Sequence, residues 1–128
     1  MAASSASYHE PLEKLSSTTQ DMHRALVSLQ EELEAVDWYQ QRADACEDAE
    51  LKAILLHNMR EEIEHASMVL EWLRRHNPDF EKNLRTYLFK DTPILQVEEA
   101  DRASNGNASP NAALPQRMGW TVGSMKGD

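Results

Sequence analysis

The chain has 128 residues, with 13 Lys or Arg against 22 Asp or Glu and a formal net charge of −9. That length allows one modest domain and a tail. The acidic balance argues against a general nucleic-acid binder, which needs clustered Lys and Arg to neutralise phosphates, and it suits the attraction of cations. Cys46 is the single cysteine, so there is no internal disulfide framework and no thiolate zinc cluster, and a reducing compartment is the simplest expectation.

The stretch from Met1 to Pro11 has no basic n-region and no apolar h-region, so it does not read as a signal peptide. No apolar run approaches the ~20 residues a membrane span needs, and a soluble, cytoplasmic protein is expected. Ser7 is a candidate helix N-cap, with Glu10 three residues later and Pro11 in the first turn. From there Leu12, Leu15, Thr19, Met22, Leu26, Leu29, Leu33 and Val36 recur in alternating steps of 3 and 4. This is a heptad seam that calls for a partner helix. No Gly or Pro interrupts Leu12 to Arg42. Glu32 lies beside the seam, where a solvated edge is its ordinary reading, and Tyr39 follows one heptad later. Glu31 and Glu34 point to other faces. Trp38 reads as a packing or interface residue.

Asp44 to Ala49 is a short polar connection, and Asp48 can cap a second helix before Leu51, Ile54 and Leu55. This helix carries two neighbouring rows. One is Met59, Ile63, Ala66, Leu70 and Leu73; the other is Leu51, Leu55, Asn58, Glu62, His65 and Val69. Glu62 and His65 therefore stand where the pattern predicts apolar residues. On a buried row they cost several kcal/mol unless paired or metal-bound. Their spacing places both on one helix face, close enough to hold one metal ion. The alternative is a satisfied pair, with Glu62 accepting from His65 or from a neighbouring Arg. The short connection predicts antiparallel helices, and Glu32 stands 14 residues before Cys46 while Glu62 stands 16 after it. At equal rise per residue the two reach similar depth. His57, Glu61 and Glu64 form a second polar stripe, either a solvated face or a weaker cation-attracting site. In di-iron carboxylate bundles two helices each give a Glu and two others each give a Glu-x-x-His. One such Glu and one Glu-x-x-His make half of that set, so a metal centre here requires a dimer.

Arg74 to Pro78 ends the second helix, the basic residues suiting a helix C-terminus. Asp79 to about Lys90 is a shorter amphipathic stretch with Phe80, Leu84, Tyr87, Leu88 and Phe89. It is too short and too apolar to stand alone, and it is expected to pack against another subunit. Pro93 to Asp101 predicts one more short helix. Arg102 to Gln116 turns to Ala, Asn, Ser, Gly and Pro, the composition of a disordered linker. Beyond it, Met118-Gly-Trp120-Thr-Val-Gly-Ser-Met125 suggests a docking peptide that orders on a partner. The expected organisation is an all-α helical domain at 1–98, a flexible linker at 99–117 and a docking peptide at 118–128.

Four stretches resemble the encapsulated ferritins, the truncated ferritin-like cargo of encapsulin shells. They are Glu31 to Tyr39, Glu61-Glu62-x-Glu64-His65, Leu70 to Arg75 and Leu84 to Phe89. The tail Thr121-Val122-Gly123-Ser124-Met125 is similar to encapsulin cargo-loading peptides, commonly Thr-Val-Gly-Ser-Leu. Met125 departs from that pattern but stays apolar. The resemblance implies an antiparallel two-helix hairpin plus a short C-terminal helix. This hairpin dimerises into a ferritin-like four-helix bundle, with dimers set in a ring, usually a decamer. It implies ferroxidase chemistry at a di-iron centre: Glu32, Glu62 and His65 match the ligands, contributed by both subunits, with Tyr39 nearby. Glu31 and Glu34 match residues that bind cations on the inner side of the ring. His57, Glu61 and Glu64 match a site where cations enter, and Trp38 lies near the metal path. Zn(II), Ca(II) or other divalent cations fit the same ligands. Storage of mineral then belongs to the shell, and the implied location is the interior of an encapsulin nanocompartment in the cytoplasm. Two other readings of the residues stand beside this one. One is a non-catalytic helical adaptor that docks through its tail. The other is a di-iron oxygenase or peroxidase, which needs a substrate pocket that a bare hairpin has little room to build.

Overall fold

The structure, a computed structural model, describes residues 7–108. The expected docking residues Thr121, Val122, Gly123, Ser124 and Met125 lie outside that range. Every regular element described is helical: α1 (Ser17–Ala45), α2 (Ala49–His76), α3 (Pro78–Tyr87) and α4 (Ile94–Ala108), after a single 3₁₀ turn at Leu12–Lys14. One compact unit ends at Glu81 and a second begins at Lys82. The first holds the long hairpin of α1 and α2, which pack against each other along their length.

The first long helix starts later than Ser7. Pro11 (ψ 134°) and Leu15 (ψ 132°) are extended on either side of the 3₁₀ turn, which breaks any helix drawn from Ser7. Ser16 is the cap instead: its side chain accepts from the Thr19 N–H at 3.1 Å. Gln20 folds back to donate to the Leu15 carbonyl at 3.1 Å. Leu12 and Leu15 thus match the heptad spacing without belonging to α1. The second helix begins as expected, with Asp48 accepting from the Leu51 N–H at 2.8 Å. Its end is also a start. Asn77 accepts from the N–H groups of Asp79 and Phe80, each at 2.9 Å, and so caps α3. Pro78 opens α3, where its missing N–H costs nothing.

Glu71 ties this corner together. Arg74 donates to both of its carboxylate oxygens at 2.7 Å, Arg75 donates to Oε2 at 2.7 Å, and Arg74 also bonds Glu81. The Arg74 guanidinium first, and Arg75 next, hold the Glu71 carboxyl down at about 2, against an ordinary 4.5. A carboxyl depressed in the folded state stabilises it above the ordinary value, and that contribution fades as pH falls toward the folded one. The melting temperature is therefore expected to drop between pH 4.5 and about 2. Glu71→Gln should flatten this drop while lowering stability at neutral pH, as thermal melts by circular dichroism will show; an unchanged acid profile would rule out Glu71 as the cause.

The last helix runs to Ala108. The helix expected over Pro93 to Asp101 thus continues through residues 102–108, where the composition changes. Side-chain pairs one turn apart support it: Arg102 bonds Glu98 at 3.0 Å and Asn105 bonds Asp101 at 3.2 Å. The remainder of the predicted linker lies outside the described residues.

Burial is sparse. Among the described residues only Ala43, Ala66 and Leu73 are buried, while Leu33, Leu51, Ile54, Ile63 and Met68 stay about half exposed. Ile63 belongs to the row predicted as core, yet it is 46% exposed. Two helices have too little facing surface to bury both seams, so the hairpin keeps an apolar face that needs further helix to cover it. No described helix is long and apolar enough to cross a membrane.

Candidate metal centre

Glu32 lies in the middle of α1, and Glu62 and His65 lie in the middle of α2. The connection of Cys46, Glu47 and Asp48 turns the chain so tightly that these midpoints meet. The Nδ1 atom of His65 is 3.3 Å from Glu62 Oε1 and 3.6 Å from Glu32 Oε1. The nearest donor atoms of all three lie within 4.8 Å of one another, the one such set of three His, Cys or carboxylate residues among the described residues. Donors around a single ion at about 2.1 Å stand roughly 3–3.5 Å apart, so the set fits one cation with little rearrangement. The His65–Glu62 contact alone would suit the satisfied-pair reading. It is Glu32, arriving from the other helix, that makes a ligand set.

The side chains remain partly open, 42% for His65, 27% for Glu32 and 23% for Glu62. A cation bound here has its outward positions free for further ligands. The electrostatics also favour a cation. The Glu32 carboxyl is raised above the usual range, first by its hydrogen bond to Glu62, then by burial and the Glu62 charge. The Glu62 carboxyl is lowered, first by that hydrogen bond from Glu32, with His65 adding to the effect. Two carboxyls this close disfavour carrying charge together, which suits a cation bound between them. His65 is raised, first by its hydrogen bond to Glu62, against burial and with the charges of Glu32, Glu62 and Glu61 behind it.

The other predicted residues do not join this cluster within one chain. Tyr39 is half-buried and one heptad from Glu32, about 10 Å along the helix axis. Trp38 is 48% exposed. The Arg42 guanidinium lies over both rings, 5.5 Å from Tyr39 and 5.9 Å from Trp38. Nothing in the apolar periodicity singles out Arg42, although its spacing of three and four residues from the two aromatics was the available cue. Glu31 is exposed and Glu34 half-buried. His57, Glu61 and Glu64 are exposed along α2. Neither group converges into a three-donor set among the described residues.

An all-α hairpin that presents one glutamate and one Glu-x-x-His at a common point defines a ferritin-like carboxylate protein. The family model described as EncFtn-like matches residues 7–91, and the chain belongs to that family. It is 53% identical over 131 residues to the encapsulated ferritin-like protein of Rhodospirillum rubrum, covering 100% of this chain and 94% of that one. It is 50% identical over 107 residues to a ferritin-like protein of Thermotoga maritima, covering 84% of this chain and 94% of the relative. The crystal structure of protein ne0167 from Nitrosomonas europaea superposes with a TM-score of 0.67 at 62% identity, covering 68% of this chain and 96% of that one.

Proposed function

We propose that the protein is a ferroxidase that oxidises Fe(II) with dioxygen at a di-iron site shared between two copies of the chain. The observation that carries this reading is the meeting of Glu32, Glu62 and His65, half of a di-iron ligand set on a hairpin whose apolar face is uncovered. A second copy supplies the other half and covers that face, completing a four-helix bundle. Fe(II) is the substrate. Glu62 bridges the two ions, and Glu32 and His65 each bind one ion from their own chain. Carboxylate oxygens suit Fe(II) and its Fe(III) product, while one imidazole per ion keeps affinity for the reduced form. Each Fe(II) gives up one electron, and dioxygen takes both. Zn(II) fits the same donors and inhibits, because it has no redox step.

The surrounding residues serve supply. Glu31 and Glu34 on α1, and His57, Glu61 and Glu64 on α2, raise the local cation concentration. Trp38 lines the path to the centre, and Tyr39 stands beside the reacting ions. Dimers assemble into a ring, with a decamer expected. The segment at 118–128 docks the assembly inside an encapsulin shell, where the oxidised iron is mineralised; the relative in Rhodospirillum rubrum is named for encapsulation.

Anaerobic Fe(II) titration tests this function. It is expected to show about one tightly bound iron per chain. The affinity should fall as pH falls, because Glu32 and His65 hold their protons above their usual ranges and must release them to bind. On the acid side of each raised group the expected change is about tenfold per pH unit for each proton displaced, over a range that extends above the ordinary 4.5 of the carboxyl and 6.5 of the histidine. Absence of tight binding would favour the non-catalytic adaptor, and an affinity flat across that range would remove these residues as ligands.

A further inference from the structure

An apolar groove continues the face that carries the metal centre. Ser28 and Ala25 stand four and seven residues before Glu32 on α1, and Val69 and Trp72 stand four and seven residues after His65 on α2. Those spacings are one and two helical turns, so all four residues share a face with the ligands. Together with Met68, which is 57% exposed, they line a groove of about 380 Å³ between the two helices. Its near end, at Ser28 and Val69, is about 6 Å along the helix axes from the ligands.

The groove lies on the side of the centre away from the Cys46 turn, whereas Trp38, Tyr39 and His57 lie on the turn side. Charge separates the two sides. Asp21 and Arg24, the charged residues of the groove, stand at its outer end and pair with each other, so they leave no net charge to draw Fe(II). The carboxylates that attract cations, Glu31, Glu34, Glu61 and Glu64, are on neither wall. A small apolar molecule has the opposite preference: it leaves water for apolar surface, and apolar cavities in proteins take up xenon or benzene. Dioxygen is the apolar substrate of the proposed reaction. We propose that this groove binds dioxygen and delivers it to Glu32, Glu62 and His65 from the end opposite to the Fe(II) path. The identity of the gas rests on the ferroxidase reading; the affinity of the groove for an apolar gas does not.

Ala25→Phe fills the groove without touching a ligand. In the assembled protein its kcat/KM for dioxygen should fall about tenfold, while Fe(II) affinity in anaerobic titration stays unchanged. Met68→Gln changes an exposed position, adds no charge and makes the wall polar, and it should lower the same ratio. Wild-type crystals pressurised with xenon should hold xenon beside Ser28 and Val69, and Ala25→Phe crystals should hold none. An unchanged kcat/KM for dioxygen in both variants, an equal loss of Fe(II) affinity, or a wild-type groove without xenon would overturn the assignment. If the wild-type protein does not oxidise Fe(II), the ferroxidase reading falls, and xenon occupancy still decides whether the groove takes up an apolar gas.

Discussion

Replacing Glu32, Glu62 or His65 singly with Ala is expected to cut aerobic Fe(II) oxidation by at least about a hundredfold. Loss of a residue that merely orients a metal ligand already costs about 10–100-fold, and these residues supply the donor atoms themselves. The same substitutions should leave the fold intact. Glu32 and Glu62 bring two carboxyls together across the hairpin, so removing either relieves a like-charge contact as well as a hydrogen bond. Helix content and melting temperature should therefore hold or rise, which separates a lost site from a lost fold. Progress curves of Fe(III) absorbance under air give the rates. Wild-type rates in all three variants would show that the cluster is not the reaction centre.

Loss of activity without loss of any ligand is the second expected result. Leu33 and Ile63 immediately follow Glu32 and Glu62, and they are 54% and 46% exposed. If a second copy covers this face, Leu33→Lys or Ile63→Lys places a charge in the covered surface. The desolvation cost, on the order of several kcal/mol, should separate the copies. The variant chain should stay helical, sediment as a monomer and lose Fe(II) oxidation although Glu32, Glu62 and His65 are untouched. Size by light scattering and activity on the same sample decide it. A helical monomer that oxidises Fe(II) at the normal rate would place the whole site in one chain.

Much of this centre is legible in the chain itself. Glu62 and His65 interrupt a row that should be apolar, and Glu32 stands at matching depth across a short turn. Antiparallel packing with a fixed rise per residue then brings Glu32 to the pair, as the 3.6 Å contact between His65 and Glu32 records. The cap at Asp48 is equally readable, since its carboxylate has one obvious N–H to accept. The first helix start is not. Ser7 with Glu10 has the form of a capping box, but Pro11 and Leu15 adopt extended backbone and pass the role to Ser16. A short-range cap signal at Ser7 says nothing of the backbone conformation further along the chain that undoes it. The composition of Arg102 to Gln116 does not show the helix that reaches Ala108, for a related reason. Composition counts residue types, whereas the i, i+4 pairs Glu98–Arg102 and Asp101–Asn105 act through spacing. The exposure of Ile63 was hidden for a third reason, because a heptad row says that a residue will be covered and does not say by which chain.

The most direct measurement is a crystal structure of the assembly loaded anaerobically with Fe(II). Two ions are expected between two copies, each copy giving Glu32 and His65 as terminal ligands and Glu62 as a bridge. An ion held entirely by one chain, or iron bound away from these residues, would contradict it.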